Sequence, residues 1–384
     1  MGSSFSGVSR PERDRLSLYV IGSGFGESSI VVLPHSGASR PPVIVVDTCM
    51  DGDVHLTLEL LEELEIDHVD LLLVTHSDLD HVRGLPALLD DAKVAEAWRF
   101  PAAADVRTLA SKWLRGLPAD TRLQELSEAM IRLDELADAN VCTEACATTR
   151  SWQPAEGAPT ITCLAPSQHD QRRSQAVLDG LVRMETRGPR LADVVAGFLN
   201  RQSKKIGRTP NILSLAAVLE WRAAADVRLV LGGDVERGDG SDHSGWRGIL
   251  TTLDRRNERD RVRRAHAVKV AHHGSRGALE FEVWDEHVRA QPAETWAIIA
   301  PFQLGDVTLP DAEVLRDLHG RGVRLALCDA ARAQTATSAT GWSPDGSVAE
   351  VCPGPLISLS WNSDGACSTV RGQRAAVYAT NAST

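Results

Sequence analysis

The sequence feature that most limits the possible folds is an apolar strand that runs directly into a cluster of metal-ligand side chains. Val69–Thr75 is continuous and apolar, which is typical of a strand buried in a parallel sheet. The next six residues are His76-Ser77-Asp78-Leu79-Asp80-His81. Imidazole and carboxylate ligands together suit zinc, manganese or iron better than calcium. Capping of a helix explains one such carboxylate but not four ligand-type side chains, so the sequence predicts a metal site here.

Three further apolar strands end in residues of the same chemical kind. Val43–Asp47 closes on an aspartate, and Leu229–Asp234 closes on two glycines and an aspartate. Val268–Ser275 delivers His272 and His273, followed by a glycine that frees the backbone for a close approach. Each feature alone is compatible with an ordinary turn. Together they predict that separate strand ends meet around one metal centre.

The order of the elements predicts an α/β fold. Short apolar strands alternate with segments that have helical spacing of apolar residues, which places helices on the outside of a sheet. The main strands are expected at Leu16–Gly22, Ser29–Pro34, Val43–Asp47, Val69–Thr75, Lys93–Phe100, Thr160–Leu164, Ile212–Trp221, Val227–Leu231, Ala267–Ala271, Trp296–Ala300, Val323–Cys328 and Leu356–Trp361.

A helical insertion is expected at about 101–158, within one domain that spans 15–371. Its helices are predicted at about 103–116, 120–139 and 142–147 because apolar residues recur there at spacings of three and four. Residues 1–14 and 372–384 are polar and are predicted to be a flexible N-terminus and a flexible tail. The insertion can cover the site, bind a protein partner or mediate self-association, although its Ala-Leu-rich faces mostly predict ordinary packing.

Composition narrows the classes of partner and compartment. The chain has a formal net charge of −11, so a nucleic-acid substrate has to meet a local basic patch. No apolar stretch approaches the roughly 20 residues that span a bilayer, and the N-terminus lacks a signal-peptide core. The seven cysteines are scattered without a Cys-x-x-Cys pair, which is typical of a reducing interior. We therefore expect a cytoplasmic protein with no membrane partner.

The motifs, taken in chain order, resemble the metallo-β-lactamase superfamily. Aspartate in place of the second histidine of His76-x-Asp78-x-Asp80-His81, followed later by His272-His273-Gly274-Ser275, resembles the hydrolase domain of the ComEC-type competence proteins. The resemblance covers roughly 15–330. It implies a four-layer αββα sandwich with two divalent metal ions, zinc or manganese, at one edge of two facing sheets. It also implies phosphodiester hydrolysis, but not DNA uptake, because the membrane channel of the competence proteins is missing.

The resemblance also assigns ligands residue by residue. They are His76 and Asp78 for one metal, Asp80 and His81 for the other, Asp234 as the bridge, and His272 or His273 to complete the second site. Asp47 would orient the ligands. The usual pattern has a further histidine before the bridging aspartate, and His169 is the only candidate between His81 and Asp234. Its position allows either a ligand or a residue at the start of a helix.

The expected chemistry is attack by a water bridging the two metals, whose pKa falls toward 7. Asp80 would orient this water or accept its proton, and the histidine of the 272–273 pair that is not a ligand, taken as His273, would donate a proton to the leaving oxygen. Backbone amides and the hydroxyl of Ser275, with Arg276, would hold a phosphate oxygen. For both residues an ordinary turn with a solvated arginine is an equal alternative.

A nucleic acid or nucleotide substrate needs basic side chains near the site. Arg201–Arg208, which includes Lys204 and Lys205, and Arg255–Arg264 are the two basic runs that could line a rim. Mixed charges in the second run favour internal pairing on a helix surface instead. The alternatives to a nuclease or phosphodiesterase are hydrolysis of a thioester or lactone at the same site, and a non-catalytic, metal-stabilised module of a larger complex such as a defence system.

Overall fold

A computed structural model describes the protein at 4, 5, 7–35, 40–101, 121–172, 210–223, 225–238, 241, 243–288, 295–328, 348–351, 355–370 and 376–378. Two large β-sheets face each other, and helices cover their outer faces, which confirms the α/β sandwich predicted from the sequence. Among the helices of these segments, none combines the length and apolar character required to cross a bilayer.

The first sheet has eight strands, numbered in chain order and placed β20-β19-β1-β2-β3-β6-β7-β8. Their bounds are β1 Leu16–Gly22, β2 Glu27–Val32, β3 Val43–Val46, β6 His68–Val74, β7 Lys93–Arg99, β8 Cys142–Glu144, β19 Leu356–Trp361 and β20 Cys367–Val370. β3, β6, β7 and β8 run parallel to one another, so their carboxyl ends lie at one edge.

The second sheet has nine strands in the order β18-β21-β17-β14-β13-β12-β11-β10-β9. Their bounds are β9 Ser151–Trp152, β10 Thr160–Ala165, β11 Ala216–Trp221, β12 Val227–Leu231, β13 Ala267–Lys269, β14 Trp296–Ile299, β17 Arg324–Leu327, β18 Val348–Val351 and β21 Ala376–Tyr378. Two small hairpins complete the strands: β4 Met50–Asp51 with β5 Val54–His55, and β15 Phe302–Leu304 with β16 Val307–Leu309.

Helices form the two outer layers. Their bounds are α1 Leu56–Glu63, α2 Leu79–Val82, α3 Leu85–Asp91, α4 Thr121–Asp138, α5 Gly245–Arg255, α6 Phe281–Val288 and α7 Ala312–Gly320. Short 3-10 turns lie at Pro210–Leu213, Arg259–Val262 and Ala271–Gly274.

Alternation along the strands of the second sheet produces two separate cores. In β12, Leu229 and Leu231 join the core shared with the first sheet, whereas Val230 joins the core under α5, α6 and α7. Successive side chains of a strand point to opposite faces, so a strand that is apolar throughout is buried on both sides. The continuous apolar strands of the sequence therefore belong to the middle of a layered fold.

Parallel pairing brings the predicted strand ends to one edge of the sandwich. β3 pairs in parallel with β6, so Asp47 and His76 follow neighbouring strands of the first sheet. β12 pairs in parallel with β13, so Asp234 and His273 follow neighbouring strands of the second sheet. The two pairs meet between the facing sheets.

Three details of the sequence interpretation are wrong. The segment 142–147 begins as strand β8, hydrogen-bonded beside β7, and is not a third helix of the insertion; α4 confirms the helix expected at 120–139, and 102–120 lies outside the described residues. The N-terminus is not simply flexible, because Phe5 is only 2% exposed within the core. In the predicted tail, Ala376–Tyr378 forms β21 and pairs with β17.

Candidate metal centre

A cluster of buried histidine and aspartate side chains lies at this edge. Three sets of side chains each bring their ligand atoms within 4.8 Å of one another: His76, His81 and Asp234; Asp80, His81 and His273; and His76, Asp78 and Asp80. All six residues are predicted ligands, and each is less than 9% exposed. Residues that are up to roughly two hundred positions apart in the sequence therefore lie together in the fold, as predicted from the strand ends.

The ring orientation of His81 is fixed by Asp47. Asp47 Oδ2 accepts a hydrogen bond from His81 Nδ1 at 2.7 Å. The same carboxylate accepts hydrogen bonds from the amide and the hydroxyl of Thr75, at 2.7 and 2.6 Å. Because Nδ1 carries the proton toward Asp47, Nε2 presents its lone pair to the cluster.

His76 is oriented by the hydroxyl of Thr75. Thr75 Oγ1 donates its proton to Asp47 Oδ2, so it can only accept from His76 Nδ1, which lies 2.9 Å away. His76 Nε2 therefore also bears a lone pair, and it faces Asp78 Oδ2 at 3.8 Å and Asp234 Oδ2 at 3.6 Å.

His273, which follows β13 of the second sheet, is also oriented with Nδ1 beside acceptor atoms and Nε2 toward the cluster. Its Nδ1 lies 3.0 Å from the carbonyl oxygen of Ala300 and 3.2 Å from Glu27 Oε2, and both of these atoms are acceptors. The proton therefore resides on Nδ1, and Nε2 faces Asp80 Oδ2 at 3.2 Å.

These contacts test whether a metal fits. Lone pairs of three imidazoles point at carboxylate oxygens, which is repulsive unless protons or metal cations lie between them. Within the described part of the chain, Nε2 of His76 and Nε2 of His81 are buried and have no hydrogen-bond partner. Neutral imidazole nitrogens and carboxylate oxygens are ordinary ligands of zinc and related divalent ions. The residues present therefore fit a metal centre.

Asp234 lies between the two halves of the cluster. Its Oδ2 is 3.6 Å from His76 Nε2, whereas its Oδ1 is 3.4 Å from His81 Nε2. The turn before it is tight: Gly233 has φ +51°, and a Cβ there would lie 2.2 Å from the carbonyl oxygen of Leu215. The amide of Asp234 donates to Ser214 Oγ at 2.9 Å. Glycine is therefore required immediately before the aspartate.

Without a cation, the pKa values of the three clustered histidines differ widely because their neighbours differ. Burial disfavours the charged ring of His81, but Asp234 and Asp47 outweigh burial and raise its pKa to about 10. Burial is likewise outweighed by Glu27 and Asp80 at His273, whose pKa rises to about 9. Burial and the neighbouring His81 lower the pKa of His76 to about 4. Despite burial, adjacent histidines hold the pKa of Asp80 and of Asp234 below the usual range.

His272 and His169 are placed differently from the six clustered residues. His272 Nδ1 lies 3.1 Å from Asn211 Nδ2 and 3.4 Å from Glu236 Oε1, and its Nε2 is 3.9 Å from Asp234 Oδ2. His169 is exposed, and its ring lies 5.9 Å from that of His243. Neither histidine belongs to the three sets of converging ligand atoms in the described residues.

The predicted substrate-binding residues are only partly available for that role. The amide of Ser275 donates to the carbonyl of His272, and its hydroxyl accepts from the amide of Gly277. The amide of Arg276 donates to Asp311, and its guanidinium pairs with Glu313 at 2.9 Å. The Ser275 amide is therefore already hydrogen-bonded within the chain, and its use for a phosphate oxygen stays a prediction. Lys204 and Lys205 lie outside the described residues.

The second basic run, Arg255–Arg264, is largely paired internally. Arg259 contacts Asp254, Glu282 and Glu286, and Arg263 contacts Asp260 and Glu286. These contacts support the surface-pairing interpretation rather than a phosphate-binding rim.

Two residues in contact with the site had no signal that singled them out in the sequence. Glu27 opens β2 and Lys269 closes β13, and both side chains are buried. A single charged residue at the end of a strand that is otherwise uncharged is the pattern that could have identified them, because a buried charge needs a partner.

A large cavity of about 1010 Å³ lies elsewhere. It is lined by residues at the amino ends of the parallel strands of the second sheet, including Arg228, His266, Trp296 and Arg324. The metal centre lies at the carboxyl ends of these strands, and none of the cavity's lining residues belongs to it. The chemistry of the clustered ligands, and not cavity size, therefore defines the candidate site.

One region of the chain is similar to a known protein family. Residues 38–109, which include Asp47 and the His76–His81 motif, match the model of the Metallo-beta-lactamase superfamily. In sequence, no curated protein is significantly similar to the chain.

Several solved structures are similar to the chain at low sequence identity. The metallo-beta-lactamase SMB-1 bound to 2-mercaptoethanesulfonate is 12% identical, with 69% of this chain and 81% of that chain covered and a TM-score of 0.33. A metallo-beta-lactamase from Cronobacter sakazakii is 15% identical, with 70% and 80% covered and a TM-score of 0.32. CmlA, a diiron beta-hydroxylase from Streptomyces venezuelae, is 13% identical, with 75% and 45% covered and a TM-score of 0.31. The match therefore spans less than half of the CmlA chain.

Proposed function

We propose that the protein is a metal-dependent hydrolase that binds two divalent ions and cleaves phosphodiesters. The observation that carries the proposal is the convergence of three imidazole Nε2 atoms, each with its other ring nitrogen committed to an acceptor, on the carboxylates of Asp78, Asp80 and Asp234. Two of these buried ring nitrogens, Nε2 of His76 and Nε2 of His81, have no hydrogen bond, and a bound cation would satisfy both.

The contacts divide the ligands into two positions. The first position is His76, Asp78 and Asp234 Oδ2, and the second position is Asp80, His81, His273 and Asp234 Oδ1. Asp234 thus offers one oxygen to each position, so it would be the bridging ligand that the family resemblance implies. Zinc and manganese suit both ligand sets.

The chain's own residues supply positioning and proton transfer. Bound divalent ions would lower the pKa of a water and polarise the oxygen under attack. Asp80 stays ionised, so it serves as a ligand and as a hydrogen-bond acceptor that orients the water. Since His273 is committed to the second position, we assign proton donation to the leaving oxygen to His272, whose side chain is 11% exposed.

Anionic substrates are favoured by the two loops beside the cluster. The loop after β12 carries Arg237, whose side chain is 41% exposed, and the loop after β13 carries Arg276, which is 71% exposed. The amide of Arg237 donates to the carbonyl of Gly277, so the loops are joined. Exposed ion pairs such as Arg276–Glu313 contribute about 0–1 kcal/mol, so a phosphate can displace the glutamate. We therefore retain the ComEC-like interpretation, with a nucleic acid or nucleotide as substrate.

A carbonyl substrate is the alternative. Glu236, Asp311 and Glu313 lie beside the same loops and reduce their positive charge, which favours a neutral thioester or lactone. Both hypotheses use the same metal ligands, so only an assay of which substrate is hydrolysed distinguishes them.

One assay series tests the proposal. The purified protein with added manganese or zinc is given single-stranded DNA, RNA, bis-p-nitrophenyl phosphate and a thioester, beside Asp80→Ala and His81→Ala. A matched control is Asp90→Ala, which removes a surface carboxylate, 65% exposed, that pairs with Arg132. We expect phosphodiester cleavage that both site variants lose and the control keeps. Turnover of the thioester alone supports the alternative, and metal binding without any turnover supports a non-catalytic module.

A further inference from the structure

A buried ion pair joins the two sheets directly behind His273. Glu27 begins β2 in the first sheet, and Lys269 ends β13 in the second sheet. Both residues are 4% exposed, and Lys269 Nζ contacts Glu27 Oε1. Lys269 Nζ also lies 3.5 Å from the carbonyl oxygen of Gly233, in the turn that carries Asp234.

The pair is connected to the second position through the other glutamate oxygen. Glu27 Oε2 lies 3.2 Å from His273 Nδ1, and His273 Nε2 lies 3.2 Å from Asp80 Oδ2. Glu27 Oε1 is also 4.0 Å from His81 Nδ1. A continuous chain of contacts therefore runs from Lys269 through Glu27 and His273 to Asp80.

Burial of two charges is costly, and an apolar pair of similar size is often as stable. The location of this pair points to a role other than stability. Glu27 Oε2 lies beside Nδ1 of His273 together with the carbonyl oxygen of Ala300, and the contact with Lys269 holds the Glu27 carboxylate in place between the sheets. The first position has no such support: His76 is oriented by Thr75 within its own sheet.

We propose that Glu27 and Lys269 are positioning residues that hold the ring of His273 in place, and that they determine metal affinity at the second position rather than the first. The inference rests on the proposed two-ion centre, but not on its substrate. Loss of the pair should weaken binding of one equivalent of metal and leave the other unchanged.

The test uses a variant that removes both charges together, Glu27→Gln with Lys269→Met, so that no unpaired charge stays buried. Zinc is titrated into the metal-free full chain, and bound metal is counted after dialysis; cobalt absorption reports the ligand geometry. We expect one equivalent to bind as in the unaltered protein and the other to weaken by about 10–100-fold. Glu27→Asp keeps the charge but shortens the side chain, so it should weaken binding of the same equivalent of metal. Lys269→Arg, which keeps the positive charge of the pair, should bind both equivalents with the affinity of the unaltered protein.

A matched control is the ion pair between Glu220, in the second sheet, and Arg261, which lies in the 3-10 turn Arg259–Val262 and has a side chain that is 23% exposed. Glu220 lies in β11, is 5% exposed, and its Oε2 is 2.9 Å from Arg261 Nη1. Glu220→Gln with Arg261→Met should bind both equivalents with unchanged affinity. If Glu27→Asp and the double variant keep both equivalents at full affinity, the inference is overturned. Two tight equivalents in the unaltered protein without phosphodiester cleavage would instead overturn the proposed substrate.

Discussion

The carboxylate of Asp47 lies 2.7 Å from Nδ1 of His81 and holds this histidine with Nε2 toward Asp234. Asp47 adopts φ +57°, a left-handed conformation that is unfavourable for aspartate. Backbone strain of this kind persists where surrounding contacts enforce it. Here the contacts are those that Asp47 makes with Thr75 and His81.

Asp47→Asn should therefore weaken metal binding without unfolding the protein. The amide can no longer accept from both Thr75 and His81, so the imidazole loses its fixed tautomer. Support residues of this kind typically alter metal affinity by about 10–100-fold. Zinc titration followed by calorimetry measures the change. Asp70→Asn is the control, because Asp70 accepts from the amide of Val43 at the opposite end of the same strand pair; equal weakening in both variants would contradict this role.

The two adjacent histidines should differ in metal content. His273→Ala removes a ligand of the second position and should lower bound metal from two ions to about one per chain. His272→Ala should leave both ions in place, because its Nδ1 contacts Asn211 and Glu236 and its Nε2 stays 3.9 Å from Asp234 Oδ2, outside the converging sets of ligand atoms in the described residues. Its effect should instead be on turnover. Metal analysis after dialysis decides the matter, and loss of metal in His272→Ala alone would reverse the assignment.

Metal binding should release protons, and its affinity should rise with pH. In the metal-free protein the pKa of His81 is raised to about 10 and that of His273 to about 9, so a cation displaces a proton from each at neutral pH. Calorimetry in two buffers of different ionisation enthalpy should show close to two protons released at pH 7.5. A binding enthalpy that is the same in both buffers would contradict these protonation states.

The same shifts make the stability of the metal-free protein depend on pH. Both histidines have a folded pKa above the unfolded value of about 6.5, so their contribution is complete below that pH. It is lost as the pH rises through about 9 and about 10. The melting temperature of the metal-free protein should therefore fall over this pH range. The melting temperature of His81→Ala should fall less steeply over the same range.

Gly233→Ala should be strongly destabilising. A methyl group would meet the carbonyl oxygen of Leu215 at 2.2 Å, and φ is +51°. We expect a loss of about 3 kcal/mol in the free energy of unfolding, from overpacking added to the left-handed backbone. Gly305→Ala is the control, with φ +59° and no atom within 4 Å, and should lose only about 1 kcal/mol. Equal losses by chemical denaturation would show that contact with Leu215 is unimportant.

Residues close in sequence were the easiest part of the site to predict. His76–His81 follows one buried strand, and Asp234 and His273 follow two others, so parallel pairing was enough to bring them to one edge. The choice between His272 and His273 could not be made, because it depends on two consecutive left-handed residues, with φ of 50° and 53°.

Contacts between the two sheets could not be predicted from the sequence. Glu27 and Lys269 are 242 positions apart, and nothing local indicates that their strands face each other. The error at 142–147 has a local cause: Cys142 and Cys146 have helical spacing, but the first lies in a strand and the second in the turn after it. The N-terminal Phe5 and the strand at Ala376–Tyr378 were likewise set by packing against distant residues.

Counting the metal ions bound per chain tests the account most directly. Protein purified without chelator, or loaded with zinc and dialysed, is analysed by inductively coupled plasma mass spectrometry beside His81→Ala. The convergence of His76, His81 and His273 on shared carboxylates predicts two ions per chain, and loss of at least one in the variant. A chain that binds no divalent ion, or a variant that keeps both, would contradict it.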